Sequence, residues 1–112
     1  MITYKQWEVV LVEFGFSEGM GSKKRPALII SSHPYHTSRQ EVIVAAITSN
    51  VQRILFGDTK IERWKSAGLL YPSLATGIIR TIKGSLIIRK IGILETPDAQ
   101  KIHAHLRQML GF

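Results

Sequence analysis

The runs Pro26-Ala-Leu-Ile-Ile-Ser-Ser32 and Glu41-Val-Ile-Val-Ala-Ala-Ile-Thr48 constrain the fold of this chain more than any other feature. Both are short and near-continuously apolar, which is the pattern of buried strands. Trp7-Glu-Val-Val-Leu-Val-Glu-Phe14 adds a strand rich in β-branched and aromatic residues, with partial alternation. Residues 74–82 and 85–91 are strand-like, with Lys83-Gly84 as a turn between them, and residues 51–56 read as a further strand.

The intervening segments carry turn chemistry. Residues 15–24 hold three glycines, and residues 33–40 are polar with a proline, so both read as loops. Ile61, Trp64 and Ala67 are spaced for one short helix over residues 58–68. The clearest helix is the last. Thr96 is a suitable N-cap, Pro97 fits the first helical position, and Asp98 complements the N-terminal dipole. Ala99, Ile102, Leu106, Met109 and Leu110 then form one apolar stripe that Gly111 ends.

Five to seven short strands and a terminal helix predict a mainly β fold, a small and strongly twisted barrel with helical additions. Closure suits such apolar strands, because open edges would aggregate. The expected core is Val9, Leu11, Leu28, Ile30, Val42, Val44, Ile47, Ile79 and Ile88.

At 112 residues and 45% hydrophobic content the chain is expected to form one domain, residues 1–112, with a single core. No apolar run approaches bilayer length and no charged-then-apolar leader is present, so a soluble, unexported protein is expected. The absence of cysteine excludes disulfides, thiolate metal sites and cysteine chemistry, and suits the cytoplasm. Lys and Arg number 15 against 8 Asp and Glu, a net charge of +7 that favours polyanionic partners. Between Asn50 and Lys90 only Asp58 and Glu62 stand against eight basic residues.

Phosphate-loop, dinucleotide-binding and HExxH motifs are all missing. His33 and His36 lie in a proline-containing segment without a third ligand nearby, and His103 and His105 point to different helix faces, so all four histidines read as surface residues and no metal is expected. Two polar groups remain. Lys23-Lys24-Arg25 precedes a buried run, and Thr48-Ser49-Asn50 closes another. The first is either a solvated turn or a placed anion site. The second offers donors to a phosphate, ribose or base edge, or is an ordinary turn.

Taken in order, Trp7–Phe14, Lys24-Arg-Pro-Ala-Leu-Ile-Ile-Ser31, Val44-Ala-Ala-Ile-Thr-Ser-Asn50, Ala67-Gly-Leu-Leu-Tyr-Pro-Ser73, Arg80-Thr-Ile82 and Ser85-Leu-Ile-Ile-Arg-Lys-Ile-Gly92 resemble the MazF/PemK family of toxins. Each motif is weak, but six in the right order and at compatible spacing cover nearly the whole chain. The resemblance implies an SH3-like barrel of the CcdB/MazF type and a homodimer. It also implies a metal-independent endoribonuclease, without cofactor, that cuts single-stranded RNA and is neutralised by an antitoxin. That antitoxin is expected to be an acidic, partly disordered protein segment. The arginine of the family's RP motif matches Arg25 and the threonine closing its AIT motif matches Thr48, the usual catalytic pair.

The chemistry of these residue types suits that role. Metal-free RNA cleavage uses the neighbouring 2′-hydroxyl as nucleophile and passes through a phosphorane with added negative charge. A guanidinium offers several donors and keeps its proton, so Arg25 suits that charge, with Thr48 as a hydrogen-bond donor. Lys23, Lys24, Ser49, Asn50, Arg80 and Lys83 are expected RNA-binding residues. The chain departs from family members that carry an acid–base residue after the PS motif, for Leu74-Ala-Thr-Gly-Ile-Ile79 has no carboxylate. Glu18 is the candidate general base. Two alternatives stand beside this reading: a non-catalytic RNA- or protein-binding barrel, and a CcdB-like gyrase poison. The poisons resemble one another in a tryptophan near the C-terminus, whereas the tryptophans here are Trp7 and Trp64.

Overall fold

Alternating side chains give this chain a sheet that is buried on both faces. A computed structural model describes residues 2–15 and 22–112. Its strands are β1 (Glu8–Gly15), β2 (Ser22–Ile29), β3 (Glu41–Thr48), β4 (Thr59–Ile61), β5 (Ser73–Lys83) and β6 (Ile87–Ile93). Helix α1 (His33–Arg39) joins β2 to β3, a 3₁₀ turn (Gly84–Leu86) joins β5 to β6, and α2 (Thr96–Leu110) follows. All neighbours pair antiparallel in the order β4-β5-β3-β2-β1-β6. Register shifts in the β1–β6 and β3–β5 ladders bend the sheet into a half-barrel.

On one face Val9, Leu28, Ala45 and Ile47 pack with Ile61, Ala67, Leu69 and the α2 residues Ala99 and Ile102. On the other, Val10, Val12, Ala27, Ile29, Val42 and Val44 pack with Ile82 and Ile87. Five of the expected core residues, Val9, Leu28, Val42, Val44 and Ile47, are buried. Leu11, Ile30 and Ile79 are half-buried. Ile88 is 41% exposed, because the 3₁₀ turn sets Ile87 inward and so shifts the strand by one residue.

Several local expectations give way to tertiary context. β2 begins at Ser22, so Lys23, Lys24 and Arg25 are strand residues opposite Phe14, Glu13 and Val12, whereas Lys23 and Lys24 were expected in a glycine-rich loop. The expected loop at residues 33–40 contains α1, since proline is tolerated in a first turn. Residues 51–56 are irregular, with Ile54, Leu55 and Phe56 exposed. Their backbone is taken by side chains: Asn50 Oδ1 accepts the Gln52 N–H at 3.3 Å and Asp58 Oδ2 accepts that of Leu55 at 2.9 Å. The short mid-chain helix is replaced by β4 and turns. Asp98, almost fully buried, explains part of this, since it accepts the N–H groups of Glu62 (3.1 Å) and Arg63 (2.9 Å) from across the fold. α2 starts at Thr96 with Glu95 as its N-cap, one residue before the expected cap.

His36 is not a surface residue. It is fully buried, with Nδ1 3.2 Å from the Tyr4 carbonyl and Nε2 2.6 Å from Ser31 Oγ. A carbonyl only accepts, so Nδ1 carries the proton and Ser31 donates to Nε2. Ser31 Oγ in turn accepts the Ile43 N–H at 2.9 Å, which leaves the chain of bonds complete. Burial holds the imidazole below its ordinary pKa of 6.5.

Candidate active site

The β2–β3 ladder pairs Ile29 with Val44, Leu28 with Ala45 and Ala27 with Ala46. It stops beside Pro26, which has no N–H to donate. Continued by two residues, the same register sets Arg25 opposite Thr48. Both residues line a cavity of about 420 Å³ at this end of the sheet. The two motifs, more than twenty residues apart in sequence, are thus adjacent because their strands are neighbours.

Thr48 is half-buried where β3 leaves the core. Its Oγ1 accepts the Asn50 N–H at 3.1 Å, which fixes the hydroxyl and leaves its proton able to donate. Ser49 also lines the cavity. Asn50 does not: its side chain closes the following turn. Lys23 and Lys24 are exposed on β2 outside the cavity lining. Arg80 lies on β5 opposite Val44, and Lys83 lies opposite Glu41 beside a different cavity of about 540 Å³. Arg80 and Lys83 are therefore not brought to Arg25. Glu18 lies outside the described residues.

The remaining lining falls in stretches that carry the family resemblance, but none of its residues was expected in the site. Leu11 on β1 pairs with Pro26 on one side and Arg89 on the other, so Arg89 shares their face and reaches the same cavity. Ile91, two residues further along β6, joins it. The opposite wall is the segment from Gly68 to Tyr71. That wall is set by close backbone packing. A Cβ on Gly92 would lie 2.2 Å from the Ala67 carbonyl oxygen, and one on Gly68 2.6 Å from that of Ile91. Gly68 also has φ +87°, a conformation that side chains rarely adopt. Past this contact Leu70 and Tyr71 are exposed, and Ser73 Oγ donates to the Tyr71 carbonyl at 2.7 Å.

The charged lining residues are two arginines, Arg25 and Arg89, with no carboxylate among the described lining. Set against the apolar Leu11, Leu69 and Ile91, they make an amphiphilic, cationic hollow suited to an anion with a flat apolar part. Among the described residues no three His, Asp or Glu side chains cluster as a metal site would require.

A family model for PemK-like, MazF-like toxins of type II toxin–antitoxin systems matches residues 5–110. No relative was found among curated proteins. Solved structures are similar over almost the whole chain. One is an endoribonuclease in complex with its cognate antitoxin from a mycobacterial species, 16% identical, covering 98% of this chain and 97% of that one, with a TM-score of 0.79. The MazE–MazF structure from Deinococcus radiodurans is 15% identical, with 97% and 96% coverage and a TM-score of 0.80. The Mycobacterium tuberculosis toxin MazF-mt6 is 22% identical, with 92% and 97% coverage and a TM-score of 0.72. At these identities the likeness is one of fold.

Proposed function

Since the chain belongs to the PemK-like, MazF-like toxins of type II toxin–antitoxin systems, we propose that it is an endoribonuclease that cuts single-stranded RNA without a metal. The observation that carries this reading is the meeting of Arg25 and Thr48 in one cationic cavity. The 2′-hydroxyl attacks the adjacent phosphorus, the 5′-oxygen leaves, and a 2′,3′-cyclic phosphate remains. Arg25 stabilises the phosphorane charge, which is larger in the transition state than in the substrate. Thr48 donates to a non-bridging oxygen or the 2′-hydroxyl. Lys23, Lys24 and Ser49 guide the backbone, and the lysine contribution falls with salt. The described lining of the cavity has no carboxylate or histidine; Glu18, which lies outside the described residues, is the candidate general base.

The same reading makes this a cytoplasmic, single-domain toxin that acts as a homodimer. Among the described residues no helix is long and apolar enough to cross a membrane. Several of the similar structures are named as toxin–antitoxin complexes. With a net charge of +7 here, the partner suited to this chain is an acidic antitoxin segment covering the cationic cavity.

Incubation of the purified protein with a long single-stranded RNA in EDTA tests the proposal. Discrete fragments ending in cyclic or 3′-phosphate, lost in Arg25→Ala, support it. Uncut RNA across many sequence contexts overturns it, and intact RNA that shifts on a gel indicates a binding module.

A further inference from the structure

We propose that the hollow beside Arg25 is a nucleobase pocket, in which Tyr71 stacks on the base next to the cut while Arg89 holds the phosphate beyond it. This inference rests on the ribonuclease reading and adds the residues that hold the nucleotide beside the cut.

Four observations carry it. The cavity, at about 420 Å³, has room for a nucleotide rather than a phosphate alone. Its lining is mixed: Leu11, Leu69 and Ile91 supply an apolar floor, while Arg25 and Arg89 supply the positive charge. An anion alone would need no apolar floor, and an apolar ligand would need no cations. A nucleotide uses both.

Tyr71 is the aromatic residue of that lining, and it is 64% exposed. An exposed aromatic ring beside a cationic hollow is what single-stranded recognition employs, since every base has a π-face to stack. Its backbone is held from both sides. The Gly68–Gly92 contact fixes the wall upstream, and Pro72 restricts Tyr71 to extended conformations while Ser73 bonds its carbonyl. The ring is therefore presented by an ordered segment without being consumed by the core.

Arg89 reaches the hollow from the far side of Leu11. Arg25 follows one ladder partner of Leu11 in reverse, being next to Pro26, and Arg89 is the other partner. The two arginines thus sit on the strands that flank β1 and both line the cavity, which suits two phosphates separated by one nucleoside. Bidentate donors fit each phosphate.

The test is cleavage of a long single-stranded RNA, with fragment ends mapped by sequencing, for the wild type, Tyr71→Ala, Tyr71→Phe and Arg89→Ala. Tyr71→Ala is expected to lower kcat/KM by about 10- to 100-fold at every cleavage site, whereas Tyr71→Phe keeps the wild-type value. Arg89→Ala is expected to reduce the slope of log affinity against log salt by about one, with the same preferred bases. If Tyr71→Ala does not fold, Tyr71→Leu replaces it, since leucine fills space without a π-face. A kcat/KM unchanged in the folded Tyr71 variant, or lowered equally in Tyr71→Phe, overturns the pocket. A salt slope unchanged in Arg89→Ala overturns the second phosphate contact. A wild type that leaves all RNA intact refutes the ribonuclease reading itself, which separates that failure from these.

Discussion

Gly92 lies so close to Ala67 that a single added Cβ would sit 2.2 Å from the Ala67 carbonyl oxygen. The strand bearing Arg89 and the wall bearing Tyr71 are therefore in backbone contact, with no side chain between them to yield. Gly92→Ala must push the wall away or distort β6. The expected cost is about 1–3 kcal/mol, read from the urea midpoint, with a loss of cleavage larger than the loss of folded protein.

Arg25→Ala and Thr48→Val should act on chemistry and spare the fold. Arg25 is exposed and Thr48 half-buried, and neither belongs to the packed clusters. Each is expected to lower the cleavage rate on the order of 10²–10³, measured in single-turnover assays. The melting temperature should stay near that of the wild type. A matching loss of stability would instead assign them to the scaffold.

Asp98 should be among the costliest polar residues to remove. Asp98→Ala leaves the Glu62 and Arg63 N–H groups without their acceptor at the foot of the segment leading to the cavity wall. A cost of about 3 kcal/mol is expected, measured by chemical denaturation. Asp98→Asn should recover only part of it, because an amide oxygen lacks the charge and its nitrogen cannot accept.

Buried His36 makes stability depend on pH. Its folded pKa lies below the ordinary 6.5, through burial first. The unfolded chain therefore binds a proton that the folded protein resists. This contribution is fully present above about pH 6.5 and falls as pH drops from there towards the folded pKa, by at most about 1.4 kcal/mol per unit. Denaturation midpoints between pH 7 and pH 5 should show the fall in the wild type. In His36→Gln the baseline is lower and that part of the slope is absent.

What the sequence made legible follows from the range of each interaction. Pattern and composition are local, so β1, β3, the apolar half of β2, β5 and α2 could be read from runs and alternation. Arg25 and Thr48 could be paired through family motifs. Arg89 and Tyr71 could not, because their shared cavity depends on which strands flank Leu11 and on a glycine contact between distant segments. His36 reads as a surface residue for the same reason: Ser31 precedes its helix, and only the fold brings the Tyr4 carbonyl to the ring. The irregular residues 51–56 failed as a strand since Asn50 and Asp58 offered their backbone closer partners than any ladder.

Leu11 stands between Pro26 and Arg89, so the backbones of β2 and β6, which carry Arg25 and Arg89, are spaced by two strand-to-strand steps, about 10 Å. That distance is fixed by main-chain hydrogen bonds, which no exchange of side chains alters. The floor and the Tyr71 wall, by contrast, are side chains. A chain of this design can change what its cavity accepts through exchanges in the floor while the strands that carry Arg25 and Arg89 keep their spacing.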